Sequence, residues 1–283
     1  MAKPRRSKAY RAALSEAIRR AQRLLDDCGI EEVPVNLLLL AERQGIRRIR
    51  EMDTRLDGQL LELDSGGYEV ILSKNAPLSR KRFTLAHEIA HTLLGKGDGL
   101  ACGGGITEEL CNAAAAEMLV PTRFLKKFLE PANITIRSFV DVSQNFKCSL
   151  DVAGWRLLNL GLIQGALLIW RTKLEAGVEV FELASIPHTW GWELPITPGV
   201  VALPGGSLWK ALTRNGPSAI EISDFCPGQV LRGEHMKMRR TALIFIKAPG
   251  EGEAHEEPSH TLSGRRESRA TPGLFDFEEG RRG

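Results

Sequence analysis

Two histidines four residues apart, in the run Arg82-Phe83-Thr84-Leu85-Ala86-His87-Glu88-Ile89-Ala90-His91, constrain this chain more than any other feature. On an α-helix, residues i and i+4 stack on one face, so the two imidazoles point at a single spot. Their neighbours Leu85, Ala86, Ile89, Ala90, Leu93 and Leu94 are small or apolar, which suits a helix sunk into a core. Imidazoles in such surroundings need a partner, because an unsatisfied polar group away from water costs on the order of 2–7 kcal/mol. A metal ion supplies one, and the spacing suits zinc. Glu88 lies beside that spot without ligating it, placed to take a proton from a metal-bound water as general base. The competing reading makes His87 and His91 ordinary surface or capping groups, and a third ligand decides between the two.

A catalytic zinc has three protein ligands and one position left for water. After a glycine-rich stretch, Gly95 to Gly105, a second helical pattern runs from about Thr107 to Leu119, and Pro121 stops it. Glu108 and Glu109 on that helix are the candidates for the third ligand. Two imidazoles and a carboxylate also suit Mn2+ or another divalent ion. The five cysteines (Cys28, Cys102, Cys111, Cys148, Cys226) are odd in number, scattered and without a CxxC pair. That pattern argues against both a disulfide framework and a thiolate zinc site, and fits reduced thiols.

With 283 residues, 43% apolar and 26% charged, the chain has the composition of a globular protein of two or three domains. No apolar run approaches the roughly 18 residues of a membrane span, so no membrane association is expected. The basic N-terminus is not followed by the apolar region of a secretory signal, and the expected address is the cytoplasm. A net charge of +3 is too small to point to nucleic acid by itself.

Ser7 to Cys28 repeats apolar residues at helical spacing, with Arg and Lys on the other face. That basic face is either simply solvated or a contact for an acidic partner. Val35 to Gln44 predicts a second helix, opened by Pro34 and closed by Gly45. Ile46 to Met52, Gly58 to Leu63 and Tyr68 to Leu72 read as a small antiparallel sheet divided by Asp57-Gly58 and Ser65-Gly66-Gly67. A helix follows from about Ser79 to Leu94.

From Ile136 to Ile163 the pattern is helix, turn through Lys147 and Cys148, and a second helix capped by Ser149 and ended by Gly161. In a DNA reader the second helix presents base-contacting groups near its N-terminus. Here that end offers Ser149, Leu150 and Asp151, and Arg156 is the only Arg or Lys in the helix. The other reading is a helical pair that packs on the preceding domain and shapes access to its site. Ala166 to Ile169, Val178 to Leu183, Val200 to Leu203 and Ala242 to Ile246 predict a second, sheet-containing domain. The aromatic run Pro187 to Trp192 reads as core, as a ligand loop or as a partner contact. From Pro249 onward the composition predicts a disordered tail, with Leu274-Phe275-Asp276-Phe277 as a docking motif near its end.

The run Arg82 to His91, taken with Glu108-Glu109-Leu110-Cys111-Asn112-Ala113-Ala114-Ala115-Ala116-Glu117-Met118-Leu119-Val120-Pro121, resembles the ImmA/IrrE family of metallopeptidases. Aligning Asn112 and Pro121 with the family's second helix puts the ligating glutamate on Glu108. Cys111 stands where the family has alanine, Ala114 replaces a larger residue, Met118 a leucine and Val120 a methionine. These departures bear on core shape more than on ligation. The resemblance implies an α+β chain: a zincin-like peptidase domain over 1–130, a helix-turn-helix segment over 131–165, and a second α/β, sensor-like (GAF-like) domain over 166–248. The tail then covers 249–283, and roughly 80 residues is short for a GAF domain.

That resemblance also implies zinc held by His87, His91 and Glu108, with Glu88 as base, in an endopeptidase whose protein substrate is a helix-turn-helix transcriptional repressor of a stress or mobile-element response. An oxyanion stabiliser is expected as well, with Tyr68, Arg82 and His188 as candidates. Asn112, one turn from Glu108, either helps fix that glutamate or serves as a packing amide. Two other functions compete: a DNA-binding or sensory regulator using the peptidase fold as an interaction module, and a housekeeping peptidase, which the extra domains disfavour.

Overall fold

A computed structural model describes residues 8–95, 104–130, 133–189, 191, 192, 194, 196–222 and 231–247. The expected tail over 249–283, its terminal docking motif, most of the glycine-rich stretch after Gly95 and Trp190 of the aromatic run lie outside the described residues.

The chain opens with α1, Lys8–Asp27, whose buried stripe is Tyr10, Ala13, Ala17, Ala21, Leu24 and Leu25. Three alanines on one face let a partner helix approach closely, while Leu24 and Leu25 each contribute roughly 1.5–3 kcal/mol by full burial. The basic face is partly neutralised from within, since Glu16 pairs with Arg19, Arg20 and Arg23. Helix α2, Leu37–Arg43, begins two residues later than the pattern suggests, because Asn36 caps it by accepting from Leu38 N.

Strands β1 (Ile46–Met52), β2 (Gly58–Glu62) and β3 (Tyr68–Ser73) form a sheet in the order β1-β3-β2. The expected antiparallel sheet is corrected to a mixed one: β2 pairs antiparallel with β3, but β1 runs parallel to it. The reason is burial. Val70 and Leu72 make β3 the most apolar strand, so it takes the centre, and a turn through Gly66 and Gly67, both at positive φ, folds β2 onto one edge. The polar β1, with Arg47, Arg48 and Arg50 outward, is left the other edge, where Arg50 makes a two-pronged ion pair with Glu69.

Helix α3 (Leu78–Leu94) packs on the sheet, and α4 (Gly104–Leu119) packs on α3 and α1, so that the two form the centre of the main core. From Leu110 to Val120, α4 buries every residue except Asn112. A helix apolar on nearly all sides belongs in the interior, and its alanines 113–116 make room for α1. Pro121 both ends α4 and starts α5, Thr122–Phe128, a short helix that the sequence pattern does not reveal.

The helical pair forms as α6 (Ile136–Asn145) and α7 (Leu150–Leu158), joined through Lys147 at φ 50°. Ser149 caps α7 by accepting from Val152 N. Arg156, the only Arg or Lys of α7, is 5% exposed. It donates to Glu117 Oε2 at 2.5 Å, Val120 O at 3.0 Å and Thr122 Oγ1 at 2.8 Å, which takes it off any surface.

Strands β4 (Gly165–Glu175), β5 (Val178–Ser185), β6 (Val201–Ala202), β7 (Ser218–Ile222), β8 (Leu231–Lys237) and β9 (Thr241–Lys247) make a six-stranded sheet in the order β6-β5-β4-β9-β8-β7. Every pair is antiparallel and the only described helix within this part of the chain is the short α8, Ser207–Thr213, so this region is not α/β. Alternation decides its faces. Leu167, Ile169, Leu243 and Phe245 join the helical core, whereas Ala166, Leu168, Trp170, Ala242, Ile244 and Ile246 build a second core with Leu212 and Phe181. One sheet thus closes two cores. The unforeseen β8 carries Arg232, Glu234 and His235, and Glu234 Oε2 accepts from Ile136 N at the start of α6.

No described helix is long and apolar enough to cross a membrane.

Candidate metal centre

Helix α3 places His87 and His91 one turn apart, and α4 brings Glu108 across from them. The Nε2 atoms of the two histidines lie 3.0 Å apart. Glu108 Oε2 is 3.1 Å from His87 Nε2, and Glu108 Oε1 is 3.6 Å from His91 Nε2. Among the described residues this is the one group of three potential ligand atoms within 4.8 Å of one another. Glu109, the other candidate ligand, points elsewhere: its Oε2 accepts from the Tyr10 hydroxyl at 2.7 Å.

Around zinc, with bonds of about 2.0–2.1 Å in a tetrahedral arrangement, ligand atoms lie about 3.3 Å apart. Separations of 3.0, 3.1 and 3.6 Å bracket that value. The ring tautomers agree with it. Asn112 Oδ1, an acceptor, lies 2.9 Å from His87 Nδ1, so the proton of His87 sits on Nδ1 and the Nε2 lone pair faces Glu108. Cys111 Sγ stands 3.5 Å from His91 Nδ1 and accepts weakly in the same sense. Burial, followed by the neighbouring His87, lowers the pKa of His91 and favours the neutral ligand form. Three lone pairs converging this closely repel one another unless a cation lies between them, so the donor set fits a divalent metal.

Asn112 therefore orients His87, not Glu108 as its position one turn along α4 suggests. The glutamate that follows His87 is 8% exposed. Burial first, and the carboxylate of Glu108 second, push the Glu88 carboxyl up to about 7. Strand β2 presses on it: a Cβ added at Gly58 would stand 2.2 Å from Thr84 Cγ2 and 3.2 Å from Glu88 Oε1. Only glycine lets that strand pass so close to α3.

His87, Glu88 and Asn112 line a cleft of about 730 Å3. One wall is β2 with α3, where Arg80 makes a two-pronged contact with Asp57 at 2.8 and 2.5 Å. The opposite wall comes from α7 and the six-stranded sheet, including Asp151, Arg171 and Ser185. None of the three candidate oxyanion stabilisers lines this cleft. Tyr68 opens β3 and pairs through its backbone. Arg82 donates to Val35 O at 3.0 Å, and burial lowers its pKa. His188 is exposed, its Nδ1 3.1 Å from Thr189 O. The basic groups that do line it are Arg80 and Arg171. Arg80 was findable, being two turns before His87 on the same helix face. Arg171 lies 84 positions from His87 in the sequence, and no local signal connects the two.

Comparison with known proteins agrees with the motif. A profile of the IrrE N-terminal-like domain (Peptidase M78) matches residues 41–158. The radiation response metalloprotease IrrE of Deinococcus radiodurans is 33% identical over 98 residues, covering 31% of this chain and 30% of that protein. The chain thus matches less than a third of the length of that curated relative. Among solved structures, a Mycobacterium tuberculosis transcriptional regulator superposes with a TM-score of 0.53 at 13% identity, covering 82% of this chain and 76% of that one. At that identity the likeness is one of fold, and it extends well beyond residues 41–158.

Proposed function

We propose that this chain, whose residues 41–158 match the profile of the IrrE N-terminal-like domain, is a zinc-dependent endopeptidase of the cytoplasm that cuts a regulatory protein. The observation that carries this reading is the convergence of His87, His91 and Glu108 within 4.8 Å, with His87 and the buried Glu88 lining one cleft. His87, His91 and Glu108 would hold the zinc, which would supply Lewis acidity and activate water. Glu88, buried beside them, would serve as the general base that takes up and returns a proton. Asn112 and Cys111 keep the His87 and His91 rings in the tautomer that leaves Nε2 to the metal. The walls from α7 and the six-stranded sheet, which lie partly outside the matched domain, support cleavage of a selected protein over general degradation.

The substrate we favour is a helix-turn-helix transcriptional repressor, so that cleavage switches genes on in a stress or mobile-element response. This rests on the resemblance to the ImmA/IrrE family and on the name of the deinococcal relative, a radiation response metalloprotease. The second reading, a DNA-binding or sensory regulator using the peptidase fold as a module, draws on the fold shared with the mycobacterial transcriptional regulator. Substitution separates them. Glu88→Gln keeps the metal, read by elemental analysis, and abolishes cleavage and cellular response, whereas His91→Ala loses both. A Glu88→Gln chain with full cellular activity overturns the peptidase reading and leaves the module.

A further inference from the structure

We propose that a second cavity, next to the metal cleft, is the subsite for one large apolar side chain beside the scissile bond; the proposal rests on the peptidase reading above. The cavity has a volume of about 450 Å3, ample for leucine, methionine or phenylalanine. It adjoins the cleft, since Phe83, Asn112, Asp151, Val152 and Ser185 line both. Asn112 is also the residue in contact with His87, at 2.9 Å. A peptide whose carbonyl lies at the three-ligand cluster therefore has a flanking side chain within reach of this cavity.

The lining sets the chemistry of the occupant. Trp155 of α7 and Ile186 and Pro187 after β5 supply apolar walls, and Leu14 of α1 closes the far side. Ala113 and Ala116, about one turn apart on α4, provide a floor whose short side chains leave the depth free. Both ionised groups that line the cavity are carboxylates already engaged, Glu109 with the Tyr10 hydroxyl at 2.7 Å and Asp151 with Arg171 at 3.5 Å. They repel an acidic side chain, and among the described residues no Lys or Arg lines the cavity to receive one. At the junction with the cleft, Ser185 Oγ is buried and has no hydrogen-bond partner among the described residues. It is placed to engage a peptide backbone group there, since a buried hydroxyl is costly to leave unpaired.

Leu14 and Ser185 to Pro187 lie outside residues 41–158. The selectivity of the site therefore comes in part from α1 and the six-stranded sheet, not from the matched domain alone.

Hydroxamates separate this inference from the reading it rests on, because they report metal binding and side-chain fit without any turnover. The zinc-loaded full chain is titrated by calorimetry with acetohydroxamate, and then with a succinyl hydroxamate series differing only in one side chain: methyl, isobutyl, benzyl, carboxymethyl or aminobutyl. The isobutyl and benzyl compounds are expected to bind about 10- to 100-fold more tightly than the methyl compound, and the carboxymethyl compound more weakly. In Ala116→Leu, which fills the floor, most of the benzyl advantage disappears. Equal affinities across the series, or a preference for the carboxymethyl or aminobutyl group, overturn the subsite and leave the metal centre standing. Failure of the zinc-loaded chain to bind acetohydroxamate at all overturns both. The series on the unsubstituted chain decides the matter even where Ala116→Leu does not fold.

Discussion

Helix pairs α3–α4 and α6–α7 both bury apolar faces in one core, yet they dispose of their polar groups in opposite ways. In α3–α4, His87, His91 and Glu108 turn their lone pairs on one another at 3.0 to 3.6 Å beside an open cleft. The one strong charge inside α6–α7, Arg156, is answered on every side by Glu117, Val120 O and Thr122. A buried polar group with complementary partners ties a structure together. A cluster of like partners has no such use until something of opposite charge arrives. Arg156 is therefore a fastener between α7 and α4, and the histidine cluster is a place for a ligand.

The widest separation between the two is expected in stability. Arg156→Ala takes the cation from Glu117, which is 1% exposed and keeps only the donors Gln22 Nε2, Thr122 N and Thr122 Oγ1, and should cost about 3 kcal/mol in urea denaturation of the metal-free chain. His91→Ala under the same conditions removes one of three mutually repelling donors and should change stability by less than about 1 kcal/mol. Replacing the pair together, Arg156→Met with Glu117→Leu, should recover most of the loss, since the desolvation of both charges goes with them. Equal losses for Arg156→Ala and His91→Ala would make the histidine cluster a structural knot and remove the distinction.

Metal affinity gives a smaller, complementary effect. Asn112→Ala frees the His87 ring and should weaken zinc about 10- to 100-fold in competition with a chelator. Cys111→Ala should weaken it by less than about tenfold, because sulfur is a poor acceptor and its contact with His91 is 3.5 Å, with Cys111→Ser keeping an acceptor there. The control comes from the other pair. Ser149→Ala removes the α7 cap, worth about 1 kcal/mol of stability, and should leave zinc affinity unchanged. If it weakens zinc as much as Asn112→Ala does, affinity is merely following stability.

The contrast explains what could be read from sequence. Spacing along one helix fixes relative direction, so His87, Glu88 and His91 were legible at once, whereas spacing left Glu108 and Glu109 both open and only the resemblance to the ImmA/IrrE family singled out Glu108. The α6–α7 pair was legible for the same reason, through Ser149 and the turn at Lys147. Partners brought together by tertiary packing were not. The i+4 rule associates Asn112 with Glu108, but the crossing of α3 and α4 delivers it to His87. Nothing local marks Arg156 as interior, because an arginine at that spacing reads equally well as a surface group. Strand β8 escaped because Arg232, Glu234 and His235 interrupt its alternation, and its burial is conferred by neighbours on both sides. The direction of β1 escaped because pairing order depends on which strand is most apolar, a property of the three together.

The smallest effect tests how firmly the turn of the second pair is shut. Burial above all pushes the thiol of Cys148, between α6 and α7, up to about 12 from its ordinary 9.0. A thiol whose folded pKa is raised adds stability that is complete below the unfolded value and is lost as pH climbs toward the folded one. Between pH 8 and 9.5 the unfolded chain ionises at this position and the folded chain does not, so stability should fall by about 0.8 kcal/mol on account of Cys148. Other groups titrate in the same interval, so the quantity to measure is the difference in slope between the unsubstituted chain and Cys148→Ala, both metal-free. A shallower slope in Cys148→Ala, with slow alkylation of Cys148 by iodoacetamide at pH 8, fits a turn closed over its thiol. Identical slopes and rapid alkylation would mean that α6–α7 opens readily, and that the fastening of Arg156 to Glu117 does not extend to the turn.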